Sequence, residues 1–245
     1  MIKGWTAVYL REMLIMRRRI VKLLSAWSVS PLLYLVAFGY AMGKQVTVED
    51  HSYLEFLLPG LVAMASMTQA FAIASEINVA RFYWHIFDEF QTAPIGPLAY
   101  VFGEVLAGMT RALISGGVIL LLGALFGVVL SYNLFFWLAF LLNSFAFASL
   151  AVGLAMHVKS HADQSLLTSF IITPMAFLGG TFFPLEHLPL WGQKLLTLLP
   201  LTHAAKAIRT AAFGQPAAGV HFLVLSVTCG LFFLFAVLSV NQARE

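Results

Sequence analysis

Six apolar stretches, at residues 23–42, 56–79, 105–130, 134–156, 166–183 and 218–240, are each at least 18 residues long. Even the shortest reaches about 27 Å as a helix, close to the thickness of a bilayer's hydrocarbon core. Lipid offers no water to satisfy peptide groups, so a chain of this kind must bond its own backbone. The expectation is an all-α polytopic membrane protein with six transmembrane helices in one domain, residues 1–245. Apolar residues make up 60% of the chain and charged residues 10%, far from the balance of a soluble domain. Pro31 and Pro174 fall inside expected spans, where membrane helices tolerate a kink.

Charge is unevenly placed. Six of the fourteen Lys and Arg lie before residue 23, on a stretch whose Ile2, Trp5, Val8, Tyr9, Met13, Met16 and Ile20 recur at helical spacing. Residues 1–22 therefore read as an amphipathic helix at the membrane surface, and a cleaved leader is disfavoured by the length of the charged region. The formal charge of +3 is accounted for by this juxtamembrane cluster, which suits anionic lipid; it gives no reason to expect nucleic acid. Counting Lys and Arg in the connections places both termini, residues 80–97 and residues 157–164 in the cytoplasm.

Two stretches depart from a plain succession of spans. The first, RFYWHIFDEFQTAPIGP from Arg81, is assigned to the cytoplasm yet carries more aromatic surface than a solvated loop should. Phe82, Ile86 and Phe90 fall at i, i+4 and i+8, one face of a short helix stopped by Pro94 and Pro97. Such a helix either docks in a protein groove or lies on the bilayer, and periodicity does not separate the two. The second runs through residues 184–217, where Pro184, Pro189 and Pro200 cut an apolar segment into pieces too short to span. Glu186, His187, Trp191, His203 and Arg209 lie among them. Broken backbone at this depth has to lie at an interface or dip in under the shelter of protein.

These stretches, FDEFQTAPIGP and TPMAFLGGTFFPLEHLP followed by LLPLTHAAKAIR, resemble permeases of the ATP-binding-cassette type-2 exporter family. The likeness covers essentially the whole chain, and it is closest to the bacterial branch of nodulation-factor, drug-resistance and lipopolysaccharide-type exporters. It implies that residues 80–97 form the coupling segment seated on an ATPase subunit, with Asp88, Glu89, Phe90, Ala93, Pro94 and Ile95 on the motif and Phe82, Ile86 and Phe87 joining them as ATPase-coupling residues. It also implies short helices on the outer side before the last span, a second permease copy forming a homodimer, and a separate ATPase chain that holds ATP and magnesium. The function expected is ATP-driven export of an amphipathic, lipid-linked, glycan or drug-like molecule across the bacterial inner membrane.

The residues themselves argue against competing chemistry. The nearest approach to a phosphate loop, Gly39 to Gln45, lacks a spacer and the Ser or Thr that holds magnesium. Gly39 with Gly43, and Gly123 with Gly127, read instead as small faces for helix packing. The lone Cys229 excludes intrachain disulfides and thiolate clusters. No nucleophile elbow occurs, so no catalytic residue and no bound cofactor or metal is expected. His157 and His161, near Asp163, have metal-like spacing but sit in a short turn beside Lys159, where a solvated or partner-facing role fits better. Arg111, which costs roughly 2.5–3.5 kcal/mol at a helix centre, needs shelter. Glu104 shares its face but stands two turns away, whereas Glu76 on the second span is a plausible partner. A structural pair is favoured over a substrate or proton path. A secondary transporter would show an internal repeat with matching broken helices, and a membrane-embedded enzyme or assembly factor would show polar residues converging at one depth; neither signature is present.

Overall fold

The computed structural model describes residues 4–42, 47–48, 51–84, 86, 93–216 and 218–243. The chain opens with α1, Gly4–Met42, followed by a two-stranded ribbon in which β1, Thr47–Val48, pairs antiparallel with β2, His51–Ser52. Helices α2, Tyr53–Phe71, and α3, Ile73–Phe82, follow end to end, and then α4, Pro97–Leu125, and α5, Leu134–His157. A helical run from His161 to Leu178 comprises α6, His161–Leu167, a π-helical turn, Thr168–Ile172, and α7, Thr173–Leu178. After a 3₁₀ turn, Leu185–His187, come α8, Leu190–Leu196, α9, Pro200–Ala212, and α10, Gly219–Gln242.

Among the described residues five helices are long and apolar enough to cross a membrane: Gly4–Gly39, Tyr53–Phe82, Pro97–Leu125, Leu134–His157 and Gly219–Gln242. The stretch expected at residues 166–183 is helical from His161 to Leu178, but its hydrogen-bond ladder widens in the middle. Pro174 has no N–H to give Phe170, and its ring crowds that carbonyl. The Thr173 N–H reaches back five residues to Thr168 O, and its hydroxyl bonds the same carbonyl at 3.1 Å. A second departure concerns the start of the chain. No helix boundary separates residues 1–22 from 23–42: α1 runs unbroken for 39 residues, about 58 Å, because nothing near Lys22 breaks a helix.

Helix α2 is apolar on all sides, and accordingly it is the centre of the bundle. Its buried face includes Phe56, Leu57, Leu58, Leu61 and Met67, packed among α4, α5 and α9. Small residues set how closely the neighbours approach. A Cβ on Gly103 would meet Val8 and the Trp5 carbonyl of α1, one on Gly116 would meet the Phe140 ring, and one on Gly153 would meet Phe235 of α10. Gly123 packs in this way against Leu58, and Gly39 against Leu54, while Gly43 lies outside the described residues. Gly127 is different from the expectation: nothing lies near its missing Cβ, and its φ of +82° explains the glycine as a turn residue.

Candidate functional site

At one end of the bundle the connections converge on α9. The Tyr53 hydroxyl donates to Phe182 O at 2.7 Å, Asn133 Nδ2 donates to Ala211 O at 3.0 Å, and the Ser131 N–H donates to Ala212 O at 2.9 Å. The last carbonyls of α9 thus find donors that a helix end otherwise lacks. His51 of the ribbon stacks on Phe213 with ring centroids 3.7 Å apart. Buried Leu201, Ala204, Ala205, Ile208 and Ala211 make α9 part of the core. Its length and small residues let it wedge against α2 and α5.

Arg209 projects from α9 into this core and is 7% exposed. Its Nη2 donates to Gly180 O at 2.8 Å and its Nε to Phe56 O at 3.3 Å, while the guanidinium lies 3.8 Å over the Phe56 ring. The room for it comes from two glycines. A Cβ on Gly60 would sit 2.5 Å from Thr181 O and 3.0 Å from the Arg209 guanidinium, and Gly180 turns the chain at φ +80°. Glu186 and Lys206 pair at 3.0 Å over the mouth of the same region. Burial pushes the Glu186 carboxyl up, but its own backbone N–H and the Lys206 ammonium outweigh that and leave it below the ordinary carboxylate value. Pro184 is buried, whereas His187 and Trp191 are exposed. His203 bonds Thr197 O at 2.8 Å and His221 Nδ1 at 2.9 Å, tying α9 to the start of α10. Since a carbonyl only accepts, His203 Nε2 carries the proton, and in the neutral pair His221 Nδ1 is the donor.

Inside the bundle, five charged side chains from three helices gather. Arg111 of α4 lies 3.2 Å from Glu76 of α3 and 5.8 Å over the Trp27 ring. Glu104, fully buried and seven residues before Arg111, faces Arg11 of α1 at 3.9 Å, and Arg11 also lies 3.4 Å from Glu12. The sequence paired Arg111 with Glu76 but had no signal for Arg11, which it counted among the basic surface residues. A cleft of about 330 Å³ lies between α1, α2 and the π-containing run, and Trp27, whose ring faces the Arg111 guanidinium, is part of its wall. Trp27, Tyr34, Thr68, Gln69, Thr168 and Thr173 line it, giving hydroxyls and an amide among aromatic walls.

At the opposite end of the bundle, α3 grips the exit of α5. Arg81 Nη1 donates to Ala155 O, and buried Asn78 Nδ2 donates to Gln164 Oε1 at 3.0 Å. His157 bonds Ser239 of α10 at 3.0 Å, while His161 packs its ring on Tyr83, so the two histidines serve different neighbours. Asp163 accepts from the Lys159 N–H and helps start α6. The single helix expected across Phe82, Ile86 and Phe90 is not continuous. Phe82 ends α3 under the Arg81 guanidinium, and the chain turns at Tyr83 and Trp84 before residue 86 is helical again. Phe87, Asp88, Glu89 and Phe90 lie outside the described residues. Beyond them Pro94 is exposed in a turn, and Ile95 packs against Gly4 at the start of α1.

Residues 4–213 match the model of the family described as ABC-2 type transporter. The chain is 28% identical over 208 residues to inner membrane transport permease YadH of Escherichia coli (strain K12), covering 84% of this chain and 79% of that protein. It is 30% identical over 233 residues to Nodulation protein J of Rhizobium meliloti (strain 1021), covering 92% and 87%. With Nodulation protein J of Sinorhizobium fredii (strain NBRC 101917 / NGR234) it shares 30% over 240 residues, covering 96% and 89%. Matched along most of its length, with apolar helices and a polar cleft between them, this chain belongs to the ABC-2 type transporter family as a membrane-embedded permease subunit and not an enzyme.

Proposed function

We propose that this chain is the permease of an ATP-driven exporter in the bacterial inner membrane. Two copies pair with two copies of a separate ATPase chain, which binds ATP and magnesium. Both termini face the cytoplasm, and the run from His161 to Leu178 serves as a sixth crossing. The substrate is amphipathic, of lipid-linked, glycan or drug-like kind, and the cleft between α1, α2 and the π-containing run suits one that has both polar and apolar parts. It passes where the two permeases meet or along their lipid-facing side.

The observation that carries the reading is how the segment between α3 and α4 is anchored. On one side Arg81 holds the C-terminal end of α5; on the other, Ile95 packs on the start of α1 and Gly96 precedes α4. A force applied between them reaches three long helices at once. Residues 80–97 therefore form the coupling segment: Phe82, Ile86, Phe87 and Phe90 fill a groove on the ATPase, Asp88 and Glu89 pair with basic residues at its rim, and Pro94 stiffens the return. Losing a central aromatic anchor costs about 2 kcal/mol, about thirtyfold in affinity. Phe87→Ala and Phe90→Ala are expected to leave membrane insertion intact but to release the ATPase or uncouple hydrolysis from transport, with Glu89→Ala milder. Copurification of the ATPase and transport-linked hydrolysis in proteoliposomes check this. Normal values for both alanine variants would make the segment a lipid-surface helix.

A further inference from the structure

No charged side chain is among the residues that line the cleft between α1, α2 and the π-containing run. Arg111 faces the Trp27 ring at 5.8 Å and is paired with Glu76, and neither of the two lines the cleft. Eight of the lining residues carry a hydroxyl or an amide instead. Thr68, Thr168 and Thr173 give their hydroxyl protons to backbone carbonyls one helical turn earlier. Ser30 and Tyr34 of α1, Gln69 of α2, Ser75 of α3 and Ser115 of α4 differ from these: among the described residues, no hydrogen bond engages their side chains.

Polar side chains that find no partner within a membrane-embedded bundle need one from elsewhere, because hydrocarbon supplies none. Here the place to find it is the cleft that all five border. Such a lining is not general to the bundle. A recess of about 500 Å³, where Trp5, Leu98 and Phe102 meet Phe145 and Phe233, has no hydroxyl or amide side chain in its wall.

A hydroxyl and a primary amide each both donate and accept hydrogen bonds. A phosphate group only accepts and an ammonium group only donates, and either would bring a charge into the cleft with no opposite charge to meet it. A hydrocarbon would leave all five side chains unpaired. An uncharged group rich in hydroxyls matches the lining, since it too donates and accepts at every position. Trp27, Tyr34, Phe71 and Phe177 add aromatic wall for the apolar part of the same molecule. Phe177 is 46% exposed and Thr173 is exposed, so the cleft is open along the π-containing run.

We propose that this cleft selects the uncharged glycan end of a glycolipid over phosphate-bearing, cationic and purely apolar cargo. This rests on the reading of the cleft as the cargo site of an exporter, and it narrows the kinds of cargo named above to one. Gln69 is the principal contact, because its amide has two donors and two acceptor positions where each hydroxyl has fewer.

Isothermal titration calorimetry on the full-length chain in phosphatidylcholine nanodiscs tests this without an ATPase. Failure here would leave the exporter reading standing, and failure of ATPase copurification would leave this binding result unaffected. Heats are taken against protein-free discs, which removes partitioning into lipid. Octyl glucoside is expected to bind saturably, and octyl phosphate, octyltrimethylammonium and octanol at least about tenfold more weakly. Gln69→Leu should weaken octyl glucoside about tenfold, and Ser115→Ala about threefold, for an amide against a single hydroxyl. Absence of saturable octyl glucoside binding would overturn the assignment, as would unchanged affinity in both variants. Equal binding of octyl phosphate or octyltrimethylammonium would overturn the selection for an uncharged group, and equal binding of octanol would overturn the role of the hydroxyls.

Discussion

Arg111 and Arg209 are both buried arginines, and the chain shelters them in opposite ways. Arg209 donates to the Gly180 carbonyl in the turn after α7 and to the Phe56 carbonyl in α2, in a space that Gly60 leaves open. Arg111 instead meets a carboxylate, Glu76, across a helix interface. A buried pair contributes little net stability, yet removing one member strands the other charge, at about 3 kcal/mol. Glu76→Gln and Arg111→Gln should each lower the unfolding free energy by about that amount. The double variant should cost clearly less than the two single costs added, as read from detergent-denaturation midpoints in a double-mutant cycle. Strict additivity would mean that the two side chains do not interact. Glu104 shows why such pairs are hard to foresee: its partner Arg11 is 93 positions earlier, and nothing in the spacing of either residue announces the other.

Among the elements, the run from His161 to Leu178 is the one most affected by a single residue. Pro174 opens its ladder into a π turn, and the hydroxyls of Thr168 and Thr173 on this turn line the cleft. With Pro174→Ala the ladder can close into an ordinary α-helix, which rotates everything after Ile172 by roughly 100° relative to the first half. The expected result is a changed pattern of thiol accessibility at cysteines placed along residues 168–178 in a Cys229→Ser background, together with reduced transport. An unchanged pattern would show that the widened turn is imposed by tertiary packing and not by the proline. The kink was legible from Pro174 alone. Its consequence, that Thr168 and Thr173 line a cleft shared with α1 and α2, depended on which helices lie alongside.

For the whole molecule, the ends of the bundle differ in character. At one end the ribbon, the connection after α4 and α9 lock together through Tyr53, Asn133, Ser131 and His51. At the other, Arg81 and Asn78 join α3 to the exit of α5 and the start of α6, beside the segment proposed to meet the ATPase. The six-crossing arrangement predicts that reporter fusions are cytoplasmic at residues 1, 88, 161 and 245 and external at residues 48 and 190. A cytoplasmic signal at 190 would remove the crossing assigned to the π-containing run and with it the outer position of α9.

That the chain is a helical membrane protein could be read without coordinates, because the length of an apolar run and the need to bond every peptide group are local properties. The sequence also marked where helices break, through Pro174 and the prolines after residue 183, and through two motif stretches it pointed to the transporter family. Which polar groups meet was settled by the packing of the helices. Arg11 with Glu104, Asn78 with Gln164, and Arg209 with the Phe56 and Gly180 carbonyls are all contacts between distant parts of the chain. Packing also decided that Phe82 closes α3, whose last turn Arg81 ties to the Ala155 carbonyl of α5. Periodicity records which face of a segment is apolar, and the neighbour that covers that face is chosen only when the helices assemble.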